Sequence, residues 1–583
     1  MEIRYMIVKE YLESLTEKEQ LNKIFPILLE SKGFQIITKP TENLGLKEYG
    51  KDIIAIGIDE DGVKKRFYFE LKGGADKDIT EERFNAPDGI ASSLNDATYV
   101  PFVSQYPRYN ELPLKIVIVH NGIAKGNVTT VMNNMFVQLS RLNSDVSYDR
   151  WDISALTKIF TESLFNAYLL TNAENVRLFN KTLINLDTDD SVSRDFQELI
   201  SNLLDNFQIR GFSLKKNRNN SMVFESLKLV SFIIFSESGR YNNLNIAKKY
   251  ILALLIKLWY WILITKQEEN RFVKEYFNQL YQFYFNEVLQ SYFERTLPLA
   301  LKKHGMYFEK GGMYEEIGYN YRTFEFFEFY IVMIKYWLTS NTTAASIESA
   351  RSILVDLIRA NRVIMKPLID YHSNIVIEII NLLLILGDKV SAKNYLRGVL
   401  HSIRSQKKKY NILPDANNNI ENVIKIRISG EKSVFYSDST SPLLAMLFIY
   451  IGILDLEKEF NIMRNFVKEA NIDVAYFVPH HGINSTTAHL IEDREKDFEE
   501  LLFSKGFFNE GYQTELLLDD PLQLRINGEE INFTQFKEYL LTTKRDFEYD
   551  YRTQNAGFPL MREFAHIYFQ TPLFPDSWNA HLG

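Results

Sequence analysis

Two acidic residues and one lysine near the N-terminus have the types and spacing of a site for a hard metal ion. Asp52 begins one apolar run, and Glu70 and Lys72 end the next one. Carboxylate oxygens suit Mg²⁺ or Mn²⁺, which usually keep several waters. Such an ion polarises a phosphoryl oxygen and supplies hydroxide near neutral pH, and a lysine can orient the attacking water or offset developing charge. The trio therefore indicates phosphodiester chemistry.

A β-hairpin is the element that would bring these side chains together. Two β-rich runs flank Glu60-Asp61-Gly62, a three-residue turn signal with glycine in the left-handed position. A loop of this length sets the register in which Asp52 faces Glu70, with Cβ atoms roughly 5 Å apart. Lys72 lies two residues beyond Glu70 and returns to the same face of the strand. The pattern predicts two carboxylates and one amine in one place.

This arrangement resembles the PD-(D/E)xK, or restriction-endonuclease-like, nuclease superfamily, whose core has a helix, a strand bearing Asp and a strand bearing (D/E)-x-K. Asp52 matches the first acid, and Glu70 and Lys72 match the second motif. Lys51 departs from the pattern, because the superfamily's name has proline there. The resemblance covers residues 1–165. It implies an α/β/α sandwich with a mixed sheet, and Mg²⁺ or Mn²⁺ bound by the two acids.

The resemblance also suggests further site residues. The first helix of the superfamily often carries another acid near the metal, and Glu19 and Glu30 compete for that role; Glu19 also completes a capping box with Thr16. We include Glu19 in the predicted catalytic set. A helix after the lysine often positions substrate in the superfamily. The candidate substrate contacts are Lys51, Arg83, Ser92 and Ser93.

Composition limits the class of protein. The chain has 583 residues, of which 46% are hydrophobic and 24% charged, which is typical of a soluble globular protein of three or four domains. The absence of cysteine excludes disulfides, thiolate zinc sites and cysteine nucleophiles. The charged N-terminal segment does not have a signal-peptide pattern, and the apolar runs are shorter than a membrane span needs. We expect a cytoplasmic protein without a membrane partner.

The net charge of −8 is unfavourable for tight nonspecific binding to nucleic acid. The run Lys64-Lys65-Arg66 lies on the predicted hairpin, where a solvated strand edge is a simpler interpretation than a phosphate groove. Three histidines, His480, His481 and His489, lie in a loop-forming stretch without matched acids. They do not have the spacing of a metal site, and a hydrolase centred on them lacks a nucleophile.

The rest of the chain is predominantly helical in pattern. The sequence predicts a buried strand over 114–120, a helix over 128–142, and a helix over 151–170 that closes the first domain. Residues 166–404 form a predicted helical bundle or solenoid-like domain. Residues 405–583 form a mostly helical domain with short hairpins. The two predicted hairpins are at 424–436 and 522–533.

The leading functional hypothesis is a metal-dependent endonuclease that cleaves DNA, with RNA left open. A small catalytic module joined to a long helical region also resembles bacterial anti-phage defence effectors, in which the helical part would regulate the nuclease or bind a protein partner or a second copy of the chain. This second likeness is one of layout alone. The alternative is a catalytically silent scaffold that binds nucleic acid or protein through a nuclease-like domain.

Overall fold

The computed structural model divides into two compact units, Met1–Leu254 and Leu255–Gly583. The structure describes residues 8–9, 11–13, 15, 21–38, 50–104, 106–163, 173–186, 191–211, 213–307, 316–416, 419–432, 436, 438–474, 498–505, 525–526, 529–542 and 552–570. Glu19 and the three histidines of the 480–489 stretch lie outside these residues. The division into domains at 165 and 404 stays a prediction.

A five-stranded mixed sheet is the centre of the first unit. Its strands are β1 (Gln35–Thr38), β2 (Ile53–Ile58), β3 (Lys64–Lys72), β4 (Leu114–His120) and β5 (Val146–Trp151). They lie side by side in chain order; β1, β2 and β3 pair antiparallel, and β3, β4 and β5 pair parallel. The buried β4 is covered on both faces, as its apolar sequence predicts.

Helices cover both faces of this sheet. They are α1 (Asn22–Ser31), α2 (Glu81–Asn85), α3 (Ile90–Tyr99), α4 (Val128–Leu142) and α5 (Ile153–Ser163). On one face, Phe25 of α1 packs edge-on against Phe69, which also contacts Trp151. On the other face, a core joins alternate strand residues to α2, α3 and α4, and it includes Ile54, Tyr68, Ile118, Phe84, Leu94 and Met132. A mixed sheet with flanking helices is therefore confirmed.

The predicted helix over 151–170 is wrong at its start. Trp151 is the last residue of β5, and α5 begins only at Ile153. The carboxylate of Asp152 accepts hydrogen bonds from the backbone amides of Ser154 and Ala155, and so caps the helix. The sequence pattern did not indicate β5 as a strand. Its six residues are all half-buried, so they show neither the continuous apolar run of a buried strand nor a clear alternation of apolar and polar residues.

Helices continue to the end of the first unit. They are α6 (Ala173–Asn185), α7 (Arg194–Leu204), α8 (Arg218–Arg240) and α9 (Leu244–Ile264), which crosses the boundary between the units. A two-stranded ribbon of β6 (Ile209–Arg210) and β7 (Ser213–Leu214) precedes α8. Within this unit, the Tyr11 hydroxyl donates to the buried carboxylate of Glu225 in α8, at 3.3 Å.

The second unit is predominantly helical. Its helices are α10 (Arg271–Phe283), α11 (Gln290–Ala300), α12 (Glu316–Ser340), α13 (Ala344–Ala360), α14 (His372–Ile385), α15 (Lys389–Tyr410), α16 (Ile420–Ser429), α17 (Pro442–Ile453), α18 (Glu457–Glu469), α19 (Phe498–Lys505), α20 (Phe533–Thr542), α21 (Arg552–Asn555) and α22 (Leu560–Phe569). A π-helical turn, Tyr284–Leu289, joins α10 to α11.

One of the two predicted C-terminal hairpins is wrong. The stretch from Ile424 to Ile428 belongs to α16, although its alternating isoleucines have a strand-like period. The Asn419 side chain caps this helix, and Gly430 ends it with φ of 74°. The second hairpin has strands β8 (Arg525–Ile526) and β9 (Glu529–Glu530), with 522–524 outside the described residues. Its predicted second strand, 531–533, is wrong, because Phe533 begins α20.

Candidate functional site

The hairpin register places Asp52 against the end of β3. Ile53 pairs with Phe69 in the sheet, so the next position back brings Asp52 opposite Glu70, as the turn length predicts. The turn has the predicted form: the amide of Asp59 donates to the carbonyl of Val63, and Gly62 has φ of 77°. Directly before β2, Asp52 Oδ2 accepts a 2.6 Å hydrogen bond from the amide of Leu71.

Glu70 and Lys72 form a charge-assisted pair on one face of β3. The Lys72 Nζ donates to Glu70 Oε1 at 2.8 Å. Glu70 is only 6% exposed, whereas Lys72 is half-buried. Both side chains lie on the same face as Tyr68, because strand residues two apart share a face. The structure therefore brings together the three residues that the sequence pattern predicts.

Lys51 joins this group from the residue before Asp52. It is 5% exposed, its Nζ donates to the carbonyl of Asp96 in α3 at 3.4 Å, and it lies 5.4 Å from the centre of the Tyr68 ring. Burial lowers the pKa of Lys51 below its usual value, although Asp96 and Glu70 act to raise it. A second buried amine therefore lies in the electrostatic field of Glu70.

Gly50 allows α3 to approach the site closely. A Cβ on Gly50 would lie 2.2 Å from the carbonyl oxygen of Ser93, and its φ of 71° disfavours other residues. The predicted substrate contacts Ser92 and Ser93 are half-buried on this helix. Arg83 is exposed, donates to the carbonyl of Ala75 at 2.6 Å, and pairs with Asp76. Its charge is held by the turn that follows Lys72.

Glu30, the alternative to Glu19, lies at the far end of the sheet. Glu30 is in the last turn of α1. A few residues later, the ring of Phe34 packs against Phe67 and Gly57, which lie near the turn between β2 and β3. β1 runs from that end towards Asp52. Glu30 therefore does not lie beside Asp52 and Glu70.

The end of β4 borders the site, and the sequence pattern favours a structural role for His120 at this strand end. His120 is paired in register with Lys72, is fully buried, and contacts the Lys77 carbonyl through Nδ1 at 3.1 Å. Burial lowers its pKa, so the imidazole is neutral at pH 7. The buried Asn121 donates to the carbonyls of Leu12 and Leu15. These contacts fix the strand end, as expected for a structural histidine.

The basic run of β3 lies at the opposite end of the hairpin. Lys65 pairs with Asp59 at 2.7 Å and with Asp61, while Lys64 donates to the hydroxyl of Tyr106. The Arg66 guanidinium donates to Asn110 and stacks over Tyr109. These cations are engaged by neighbouring side chains, which agrees with a strand-edge interpretation.

The donor set suits a hydrated Mg²⁺ or Mn²⁺ held by two carboxylates. Within the part of the chain that the structure describes, no three His, Asp or Glu side chains group as metal ligands. Asp52 accepts its hydrogen bond from a neutral backbone amide, and Glu70 accepts one from the Lys72 ammonium, so both side chains are held in place as carboxylates. Mg²⁺ is commonly held by one or two carboxylates with waters and substrate phosphates, so this pair fits the ion.

Comparison with known proteins gives no match: no family model, no curated protein and no solved structure matches this chain. Among the described helices, none has the length and apolar character to cross a membrane. The chemistry of the site therefore carries the functional argument.

Proposed function

We propose that this protein is a Mg²⁺-dependent endonuclease of the restriction-endonuclease-like type, with DNA as its preferred substrate. The observation that carries the proposal is the meeting of Asp52, Glu70 and Lys72 at the ends of neighbouring strands. The order of elements supports it, because α1 precedes β2, which begins directly after Asp52, and β3, which ends in E-x-K, as expected from that superfamily.

The residues have distinct roles in the proposed reaction. Asp52 and Glu70 would hold the ion, which polarises the phosphoryl oxygen and lowers the pKa of water when it is bound. The amide of Leu71 fixes the carboxylate of Asp52, and Lys72 fixes that of Glu70. The Lys72 ammonium would orient the attacking water and offset charge that develops on the phosphate. Lys51 adds a second amine beside Glu70.

The substrate is tested with supercoiled plasmid, linear duplex DNA and single-stranded RNA, each with Mg²⁺, with Mn²⁺ and with EDTA. We expect cleavage of DNA that needs the ion and is lost in Glu70→Gln. Cleavage of RNA alone would change the substrate but keep the site. If both proteins bind nucleic acid equally and neither cleaves it, the result would contradict the enzyme and favour the alternative, a catalytically silent binding scaffold.

We also propose a cytoplasmic role in anti-phage defence, in which the helical region controls the nuclease through a protein partner or a second copy of the chain. The layout of a small sheet domain before a long helical region supports this role. The test is phage plating on bacteria that express the wild-type chain or Glu70→Gln at equal levels. Protection by the wild type alone is the expected result, and equal plating on both would contradict the role.

A further inference from the structure

The ribbon of β6 and β7 in the first unit exposes a cluster of positive charge. Residues 206–224, which include the ribbon and the start of α8, contain two lysines, two arginines and no acid, in a chain whose net charge is −8. Arg210 at the end of β6 is exposed, and so are Lys215 and Lys216, which directly follow β7. Protein surfaces usually mix the two signs of charge, so a stretch of one sign is unusual.

These three cations lack the carboxylate partners that neutralise other lysines of the first unit. Within the described part of the chain, no Asp or Glu forms an ion pair with Arg210, Lys215 or Lys216. Lys65, by contrast, binds Asp59 at 2.7 Å near the turn of the β2–β3 hairpin. A cluster of one sign that is not balanced within the protein creates a potential that attracts a partner of the opposite charge.

A buried asparagine holds the two strands of the ribbon together. The side chain of Asn220 in α8 is fully buried and bonds to both strands at the base of the ribbon. Its Nδ2 donates to the carbonyls of Gln208 and Lys215 at 3.1 and 2.8 Å, and its Oδ1 accepts from the amide of Gln208 at 2.8 Å. At the other end, Gly211 has φ of 67°, as a two-residue hairpin turn requires. The backbone that carries the cations is therefore held in place, which lowers the ordering cost of binding a partner.

The chemistry of the ribbon favours nucleic acid over a protein or a lipid surface as that partner. Among the described residues of the ribbon, Ile209 is the one large apolar side chain that is exposed, at 39%. Protein interfaces are depleted in lysine and have an apolar core, and segments that bind membranes need a broad apolar face. Nucleic-acid interfaces are more polar and much more positive. The major groove of DNA is also wide enough to admit a two-stranded ribbon.

We propose that the β6–β7 ribbon is a contact for duplex DNA outside the candidate nuclease site, in which Arg210, Lys215 and Lys216 bind phosphates of the DNA backbone. Such contacts depend on charge and carry no sequence information, so they position the duplex without specifying it. The ribbon belongs to the same unit as the candidate nuclease site and shares no residue with it. This role rests on the proposed function for the choice of DNA, but it is one of binding alone.

The test is the affinity of the full chain for a short fluorescent duplex, measured by anisotropy in EDTA so that no cleavage occurs. The ribbon variant combines three exposed changes, Arg210→Gln, Lys215→Gln and Lys216→Gln. At about 0.1 M salt we expect its affinity to fall about thirtyfold or more, because each lost phosphate contact also loses its counterion release. The slope of the logarithm of the binding constant against the logarithm of salt concentration should fall in magnitude by about two to three units.

A control variant with the same change in net charge separates this contact from a general effect of charge. It combines three exposed substitutions on α4, α5 and α6, namely Arg141→Gln, Lys158→Gln and Lys181→Gln. We expect its affinity to stay within about threefold of the wild type, because charges away from the duplex are screened by salt. Equal losses in the two variants, unchanged affinity in the ribbon variant, or no duplex binding by the wild type would overturn the proposal.

Two other anionic probes test the alternative partners: vesicles of phosphatidylserine and phosphatidylcholine, and a polyglutamate peptide. Binding of either probe that is lost in the ribbon variant, with duplex affinity unchanged, would assign the ribbon to a lipid surface or an acidic protein and overturn the proposal. Plasmid cleavage in Mg²⁺ separates the ribbon from the proposed function. Ribbon-dependent duplex binding without cleavage would keep the ribbon contact and contradict the nuclease, whereas cleavage with ribbon-independent binding would do the reverse.

Discussion

The two ends of the β2–β3 hairpin contain the same residue types in different arrangements. At the turn, Asp59 accepts hydrogen bonds from Lys65 at 2.7 Å and from Lys115 at 2.9 Å. Lys115 also pairs with Asp149 at 3.0 Å. Acids and lysines here bind each other across three strands, and this network joins the strands without involving a ligand.

At the other end, main-chain groups hold two of the charged side chains, and Glu70 pairs with Lys72 of its own strand at 2.8 Å. Asp52 accepts from the amide of Leu71, and Lys51 donates to the carbonyl of Asp96. The amide that holds Asp52 is neutral and leaves its charge in place beside Glu70, and two carboxylates this close are stabilised by a divalent cation. The two ends therefore differ in how the acids are held: lysines from two strands bind Asp59 at the turn, whereas a backbone amide holds Asp52 and one lysine of the same strand holds Glu70.

The position in the sheet agrees with this distinction. Glu70, Lys72 and His120 lie at the carboxyl ends of the parallel strands β3 and β4, whereas Lys65 and Lys115 lie near their amino ends. In open α/β sheets, ligands bind outside the carboxyl ends of the strands.

Glu70→Gln should lower the rate of Mg²⁺-dependent DNA cleavage by about a thousandfold or more, because it removes the charge of a metal ligand and of the Lys72 partner. Asp59→Asn is the matched change at the turn and should leave the rate within about threefold. Initial rates on plasmid DNA at saturating Mg²⁺ measure both. A similar loss in the two variants would show that the effect is one of folding.

Lys72→Met should lower kcat by about a hundredfold and leave the midpoint for Mg²⁺ nearly unchanged, because the lysine acts on water and phosphate but does not bind the ion. Lys65→Met is the control, since Lys65 has two carboxylate partners at the turn. Cleavage as a function of Mg²⁺ concentration separates these effects. A large shift of the midpoint with unchanged kcat would instead assign Lys72 to metal binding through Glu70.

Much of this site could be predicted from the sequence, because short-range rules determine it. Loop length and Gly62 fix the hairpin register, and the period of a strand then places Lys72 beside Glu70. The helix over 128–142 and the strand over 114–120 have strong periodicity and are confirmed at both ends. Local geometry was enough where the chain reverses direction within a few residues.

Other features depend on contacts that are distant in sequence. The role of Gly50 follows from the approach of Ser93, and the burial of Lys51 follows from α3, which the pattern around Asp52 does not encode. β5 is a half-buried edge strand, so its sequence lacks a clear apolar face. Residues 424–428 alternate like a strand, yet the Asn419 cap and tertiary packing favour a helix there.

Lys51→Met should lower kcat/KM about tenfold and act mainly through KM, because the buried amine lies beside Glu70 but is not part of the metal-binding pair. Methionine keeps the apolar stem that contacts Tyr68 and removes the charge. Steady-state cleavage of a short duplex measures the split between kcat and KM. An unchanged KM with a lower kcat would place Lys51 in the chemical step.

The turn network should give a pH-dependent stability that the Asp59→Asn variant lacks. Burial acts to raise the pKa of Asp59, but the hydrogen bonds from Lys65 and Lys115 outweigh it and lower the pKa. An acid with a lowered pKa in the folded state stabilises the protein above its unfolded pKa of about 3.9, and this contribution disappears as the pH falls through the folded value.

The wild type should therefore exceed Asp59→Asn by about 1 kcal/mol in free energy of unfolding at pH 7, which is about fivefold in the folding equilibrium. The difference should shrink steadily below pH 4. Urea unfolding between pH 3 and pH 7 measures it. A constant difference over this range would mean that the variant acts through packing and not through the ionised carboxylate.

Lys64→Ala should have the smallest effect, since the nucleic acid is expected at the other end of the hairpin. Lys64 is exposed at the start of β3, and its Nζ donates to the Tyr106 hydroxyl at 3.0 Å. We expect its duplex affinity, measured in a Glu70→Gln background to prevent cleavage, to stay within about twofold of the parent. Removal of a lysine that contacts phosphate would lower the slope of the logarithm of the binding constant against the logarithm of salt concentration by about one unit. Such a drop in Lys64→Ala would place the nucleic acid along the turn, and the turn network would then be part of the binding surface.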